Sequence, residues 1–304
     1  TLCYEKKIGA LTTCMICAVK DRASGRTFPA CSARVAEGME IETDTQEIRE
    51  TRREILNMLL SEHVGDCDAP CSRICPASFN IPRMLRCVAS GDLNAAARLA
   101  RRELIFPAVL GRVCSAPCER GCRRALYDGA LAIRSTHGEL AEKCAESLET
   151  SIVPTGKRVA VIGAGLAGLT AARICADEGH ACVVYEKSPE ACSSLRSLSP
   201  EQLPLDVLDA EIARVCGCGI ELKREREVGR DISMESVLSD YDAVIVACEI
   251  ACPPGGRVDR ASEDAMHIRA VANGKAAAQR VNATLRGAEA SRDARPFCSQ
   301  IGRL

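Results

Sequence analysis

The sequence has no tryptophan, and aromatic residues make up only 3% of its 304 positions, but 47% of the residues are hydrophobic, which permits a sizeable core. It also has no block of lysine and arginine, and its formal net charge is -1 at pH 7. A nucleic-acid binder shows a basic face, and none is present in the sequence. There is no long apolar run either. The longest, VAVIGAGLAGLTAA, is too short and too glycine-rich to cross a bilayer. No secretory leader is recognised ahead of the first cysteines.

What the chain does have is 20 cysteines. A secreted disulfide scaffold is one explanation, but such scaffolds are usually short and lack long apolar α/β elements. Here the cysteines stand in metal-like spacings beside a dinucleotide-binding pattern. A reducing cytoplasm is therefore expected, because cluster ligands must remain thiolates.

Residues 1–43 carry Cys3, Cys14, Cys17 and Cys31 in the order C-x10-C-x2-C-x13-C. Ala18–Val19 and Ala33–Val35 read as short strands, with Gly25 in the turn between them. The text LTTCMICAVKDRASGRTFPAC, followed by EGMEIETD, resembles the ferredoxin domain of the large iron–sulfur subunit of complex I and of NAD-reducing hydrogenases. That resemblance implies a 2Fe–2S cluster on the four cysteines; the alternative is zinc, which C-x2-C also serves. Ferredoxin domains place a β-hairpin before the first ligand, whereas only Thr1 and Leu2 precede Cys3 here. Further residues are expected ahead of the numbered chain.

Residues 44–150 read as helical. TQEIRETRREILNMLLSEH repeats Ile48, Ile55, Met58 and Leu59 near the helical period, with Asp44 or Thr45 as the cap. It leads to His63 and Cys67, an H-x3-C arrangement. Cys67, Cys71 and Cys75 stand four apart, and Cys114, Cys118 and Cys122 repeat the spacing. Structural zinc usually takes four local ligands, and each triplet lacks a local fourth. Asn94–Glu103 reads as an amphipathic helix. The texts CDAPCSRICP, NIPRMLRCVASGDLNAAARLA and LGRVCSAPCERGCRR resemble the N-terminal helical domain of dihydropyrimidine dehydrogenase and of the glutamate synthase small subunit. That family holds two 4Fe–4S clusters with interleaved ligands. The resemblance implies Cys67, Cys71 and Cys122 around one cluster, joined by His63 through an H-x3-C arrangement that resembles the complex I-like subunits, and Cys75, Cys114 and Cys118 around the other, where His137, four residues after Ile133, stands at the position that the family fills with Gln or Glu. Glu139 and Cys87 compete with His137 for the last place. A cysteine before proline, as in Cys75-Pro76, ligates the other cluster in two-cluster ferredoxins.

Residues 151–304 open with KRVAVIGAGLAGLTAARICADEGHACVVYEK. A strand over Val159–Ile162 runs into Gly163, Gly165 and Gly168. A helix over Leu166–Glu178 stops at Gly179, and a second strand over Val183–Tyr185 ends at Glu186. Strand, glycines, helix and acid together give a Rossmann dinucleotide site: a tight turn, a backbone approach to pyrophosphate, and a carboxylate for ribose. The bland alternative is a Rossmann fold that binds nothing. In the resembling family this site binds FAD, which implies Gly163, Gly165, Ala167, Gly168, Glu186, Lys187, Leu195 and Val228 as its contacts. A family Gly-Gly-x-Leu turn is here Cys192-Ser193-Ser194-Leu195, and Gln202 precedes Leu203-Pro204 where a basic residue is usual. DYDAVIVAC reads as a fourth strand and HIRAVANGKAAAQRVNATL as the closing helix. The NAD(P) domain that the family inserts between them is not found, and its Gly-Asp step is missing, although Asp264 lies nearby. Cys144, Cys175, Cys182, Cys216, Cys218, Cys248, Cys252 and Cys298 have no ligand spacing and read mostly as small buried residues, although Cys192, Cys248 and Cys252 could gather at a further metal site.

The expected architecture is therefore multidomain, α+β and α/β: a 2Fe–2S ferredoxin-like segment, an α-helical domain with two 4Fe–4S clusters, and an abridged Rossmann-type FAD domain. The expected function is an electron-transfer subunit, relaying single electrons to or from a flavin or partner redox subunits of hydrogenase, dehydrogenase or NAD-linked kind. Two alternatives stand beside it. One is a self-sufficient FAD-dependent NAD(P)H oxidoreductase of the glutamate synthase small-subunit type. The other is a structural or assembly module with relict cofactor folds.

Overall fold

The computed structural model describes residues 2–5, 9–61, 69–144, 152–250 and 258–287. Two compact units divide between Cys67 and Asp68.

In the first unit, β1 (Tyr4–Glu5) pairs antiparallel with β2 (Gly9–Ala10). The central strand of a separate sheet, β3 (Ala18–Asp21), lies antiparallel between β4 (Thr27–Pro29) and β5 (Ile41–Glu42). Gly25, at φ +69°, donates its N–H to the Asp21 carbonyl at 2.8 Å and closes the β3–β4 turn. The expected strand at Ala33–Val35 does not form, because the hairpin turns tightly and its return strand begins at Thr27. Val35 is left 95% exposed.

Helix α1 (Gln46–Ser61) starts where the Thr45 Oγ1 accepts the Ile48 N–H at 3.3 Å. Asp44 instead pairs with Arg49 at 2.7 Å. Ile48 is fully buried, and Arg52 donates to the Ala18 carbonyl of β3 at 2.7 Å. The apolar period further along is real, but Met58 and Leu59 on it remain exposed.

The second unit opens with short helices: α2 (Pro70–Ile74), α3 (Ile81–Ala89), α4 (Leu93–Leu104), α5 (Pro107–Val113), α6 (Pro117–Arg120) and α7 (Ile133–Lys143). Asn80 caps α3 through the Arg83 N–H, and Asp92 caps α4 through the Ala95 N–H. Phe79, Ile81, Met84, Leu104, Phe106, Leu110 and Ile133 fill the space between them. Helices α5 and α7 meet backbone to backbone, because a Cβ on Gly111 would lie 2.6 Å from the Gly138 Cα.

A five-stranded parallel sheet follows, in the order β10-β9-β6-β7-β8. Its strands are β6 (Arg158–Ile162), β7 (Ala181–Tyr185), β8 (Ile220–Lys223), β9 (Ala243–Val246) and β10 (Val258–Arg260). Four successive residues are buried in each of β6, β7 and β9, as expected of a parallel sheet covered on both faces. Helix α8 (Leu166–Asp177) connects β6 to β7. The short α9 (Ser193–Arg196), α10 (Leu205–Cys216) and α11 (Met234–Asp240) follow. The closing helix α12 (His267–Leu285) crosses α8 closely, with Gly274 against the Ala167 carbonyl.

Helices and sheet are tied together within this unit. Glu211 on α10 accepts the N–H groups of Ala108 and Val109 at 2.9 and 3.1 Å, which caps α5 from outside. Arg214 donates to the Ile105 carbonyl. Lys275 of α12 donates to the carbonyls of Ala77 and Glu103 at 2.7 and 3.0 Å.

Candidate metal centres and dinucleotide cradle

In the first unit, four sulfurs share one neighbourhood as two pairs. The backbone N–H and thiol of Cys14 hydrogen-bond Cys3, lowering the Cys3 thiol from 9.0 to about 7. Cys17 and Cys31 hydrogen-bond each other, and the Cys31 thiol is raised by Cys17 first and also by the charges of Cys3 and Cys14. The loop that presents them is strained: Thr12 and Met15 have φ of 60° and 54°, a region that a β-branched residue enters only when held there.

In the second unit, proline and backbone geometry aim the cysteines. Cys71 lies within α2. Cys75 caps the end of α2 with extended backbone, φ -70° and ψ 117°, because Pro76 forbids the helical conformation to the residue before it. The two sulfurs therefore leave in different directions. Cys114 ends α5 in the same extended way, Ala116 turns the chain through a left-handed φ of 48°, and Cys118 then sits in α6. The Cys75 sulfur receives the N–H groups of Phe79, Ala77 and Ser78.

Burial pushes the Cys118 thiol up to about 12, and the neighbouring Cys75 and Cys114 add to the shift. Cys71 is likewise raised by burial, with Cys122 as the charge that faces it. The structure thus gathers Cys75 with Cys114 and Cys118, and separately Cys71 with Cys122. His63 and Cys67, expected beside the second group, lie outside the described residues.

His137 is 5% exposed on α7, edge-on to Phe79 at 6.1 Å between ring centroids. Its Nδ1 lies 3.0 Å from the Pro107 carbonyl, which can only accept, so Nδ1 carries the proton and Nε2 keeps a lone pair. Burial first, and then Arg134, lower its pKa to about 4, which keeps the ring neutral. A neutral imidazole oriented by a carbonyl is the form that ligates a metal. Of its competitors, Glu139 is exposed and pairs with Lys143 at 2.7 Å, while Cys87 packs against the apolar core.

Among the described residues, no three His, Cys, Asp or Glu side chains close around a position for a single metal ion. A cage for a four-iron core is wider than that. The chemistry of the donors fits such a core: buried neighbouring thiols resist ionising together until metal charge compensates them. Every described cysteine is a free thiol.

The dinucleotide cradle lies at the carboxyl ends of β6 and β9, where the strand order reverses. Gly163, at φ +105°, leaves no room for a Cβ beside the Ala247 carbonyl, and a Cβ on Gly168 would overlap the Gly163 carbonyl. Glu186 at the end of β7 accepts the N–H groups of Ala164 and Ser188 at 2.7 and 2.8 Å. Lys187 is exposed. Leu195 and Val228 are buried, at 1% and 4% exposure. Cys192 takes a left-handed φ of 54°, the conformation a glycine turn would supply, and its N–H reaches the Ala164 carbonyl at 2.9 Å.

Glu263 was not anticipated from the sequence. Its carboxylate accepts the Ala167 N–H at 2.8 Å and also bonds the Gly168 N–H, in the place a pyrophosphate would take. As it stands, the Glu263 carboxylate occupies these N–H groups of the cradle.

Comparison with known proteins now bears on both sites. Residues 42–147 match the family model described as dihydropyrimidine dehydrogenase domain II, 4Fe-4S cluster. That segment of the chain is similar to this 4Fe-4S domain. Residues 161–210 match the NAD(P)-binding Rossmann-like domain. The NADP(+)-dependent formate dehydrogenase subunit beta of Moorella thermoacetica is 34% identical over 59% of this chain and 29% of its own length. The NAD-dependent dihydropyrimidine dehydrogenase subunit PreT of Salmonella typhimurium is 33% identical over 62% of this chain and 47% of its own. The glutamate synthase [NADPH] small chain of Escherichia coli is 35% identical over 59% of this chain and 40% of its own. The chain spans less than half of each of these relatives.

Proposed function

We propose that this chain is an electron-relay subunit of a larger redox complex, with the substrate chemistry on partner subunits. The observation that carries the reading is the interleaved gathering of buried and half-buried thiols, Cys75 with Cys114 and Cys118 and Cys71 with Cys122, inside a segment matching a 4Fe–4S domain. His137 supplies the remaining ligand of the first group, and His63 and Cys67 complete the second. Cys3, Cys14, Cys17 and Cys31 hold a 2Fe–2S cluster. When bound, the clusters supply one-electron chemistry.

The chain's own residues do the rest. The cysteines hold the iron at fixed positions, Phe79 and Met84 exclude water, and the N–H groups of Ala77, Ser78 and Phe79 stabilise negative charge on the Cys75 sulfur. The Lys275 ammonium does the same from α12. The Rossmann cradle, with its glycines and Glu186, accommodates the ADP part of FAD once Glu263 withdraws. The cytoplasm is the compartment in which so many thiols stay reduced. No described helix is long and apolar enough to cross a membrane.

Iron analysis of anaerobically purified chain tests this reading. About ten irons per chain are expected for one 2Fe–2S and two 4Fe–4S clusters. A value near two would discard the helical-domain assignment. Cys118→Ser should remove one 4Fe–4S signal from the low-temperature EPR spectrum and spare the 2Fe–2S signal, and an unchanged spectrum would contradict the ligand set.

A further inference from the structure

The second glycine of a dinucleotide motif exists so that a pyrophosphate can approach the backbone. At Gly165 the group that approaches belongs to the chain itself: a Cβ there would collide with the Glu263 carboxylate. The same carboxylate takes the Ala167 N–H at 2.8 Å and bonds the Gly168 N–H. These are the free donors at the start of α8, where the helix end favours an anion. Burial raises the Glu263 pKa, while the two N–H groups oppose that shift by stabilising the charged form.

The backbone carrying Glu263 is tied on both sides. Ala261 donates to the Val246 carbonyl at 3.0 Å, Asn273 donates to the Ser262 carbonyl at 2.7 Å, and the Met266 N–H reaches Asp264 at 2.8 Å. The carboxylate is therefore delivered to the cradle by a fixed loop, and only its side-chain torsions can take it away. A second carboxylate, Glu186, faces the same loop through the Ala164 N–H. An incoming pyrophosphate meets an anion already seated and another beside it.

We propose that Glu263 is a built-in occupant of the cradle, so that ADP-containing cofactors bind only by displacing its carboxylate. This rests on the dinucleotide reading of the Rossmann site given above. It makes Glu263 the residue that sets cofactor affinity, with the charge of the ligand's phosphates as the property opposed. Adenosine, which has no phosphate, is not subject to that competition.

Binding of FAD, ADP and adenosine to the full chain, with wild type, Glu263→Gln and Glu263→Ala compared, tests the proposal. Glu263→Gln is close to isosteric and preserves the loop, and unchanged thermal unfolding checks that it does. FAD and ADP should bind about tenfold more tightly to Glu263→Ala, as one removed like charge at close range warrants, with Glu263→Gln between and adenosine unchanged. If wild type and both variants bind FAD equally, the gate is refuted and the dinucleotide site stands. If none binds FAD, both fall. An equal gain for adenosine would also refute the proposal, by showing a general opening of the site.

Discussion

The contact between Gly111 and Gly138 sets the distance between the helix that delivers Cys114 and the helix that carries His137. A Cβ on Gly138 would lie 2.9 Å from the Gly111 Cα, and one on Gly111 would lie 2.6 Å from the Gly138 Cα. Carbon atoms rest at about 3.5–4.0 Å, so either alanine pushes α5 and α7 apart by about 1 Å. Overpacking of this kind costs about 1–3 kcal/mol. Alanine in a helix recovers up to about 1 kcal/mol over glycine. The net loss for Gly138→Ala is about 1–2 kcal/mol, or about 3–6 °C in Tm at the scaling for domains of comparable size. The two substitutions act on one gap, so the double variant should lose less than the sum of the singles. Thermal unfolding of the anaerobically purified chain, with iron content measured alongside, reads both effects. A Gly138→Ala chain as stable as wild type, or strictly additive losses, would refute the close-crossing argument.

Glu211 and Lys275 carry two further predictions. Removing Glu211 leaves the buried Ala108 and Val109 N–H groups without their acceptor, so Glu211→Ala should cost about 3 kcal/mol in chemical denaturation. Burial raises the Glu211 pKa above its ordinary 4.5, so the folded chain favours the protonated form. Its contribution is then full below 4.5 and is lost as pH rises through the raised folded value; wild type should lose stability relative to Glu211→Gln as pH climbs from 4.5. A pH-independent difference between the two would contradict this. Lys275→Met leaves the Ala77 and Glu103 carbonyls unpaired, costing about 1–3 kcal/mol, and should lower the reduction potential of the cluster nearest Cys75; a redox titration showing no shift would remove Lys275 from that role.

Much of the second unit was legible in the sequence because several signals agreed. The glycines and the apolar strands fell where the period and punctuation placed them, and the closing helix His267–Leu285 where the family resemblance placed it. Proline after Cys75 announced the change in direction that separates it from Cys71. Other features were not legible. Strand β10 lacks an apolar run, since Val258–Arg260 forms by lying along β9 and not by its own propensity. The Ala33–Val35 expectation failed because a tight turn at Gly25 committed the chain to pair earlier. Glu263 could not be foreseen, since nothing local marks an acid that folds back onto a helix start 96 residues away in the chain. Glu211, likewise, reads as one charge on an amphipathic helix until α5 is seen to end against it.

The Glu211 and Lys275 bonds have a consequence for how the second unit comes apart. Each begins on a helix that flanks the sheet and ends on the backbone of the helical cysteine-bearing region, and each satisfies groups that would otherwise be stranded away from water. Neither region could be cut out and kept as a free-standing piece without leaving bare dipoles at the wound. Expressed alone, the cysteine-bearing half should be a poor folder, and any excision would have to supply substitutes for a carboxylate and an ammonium.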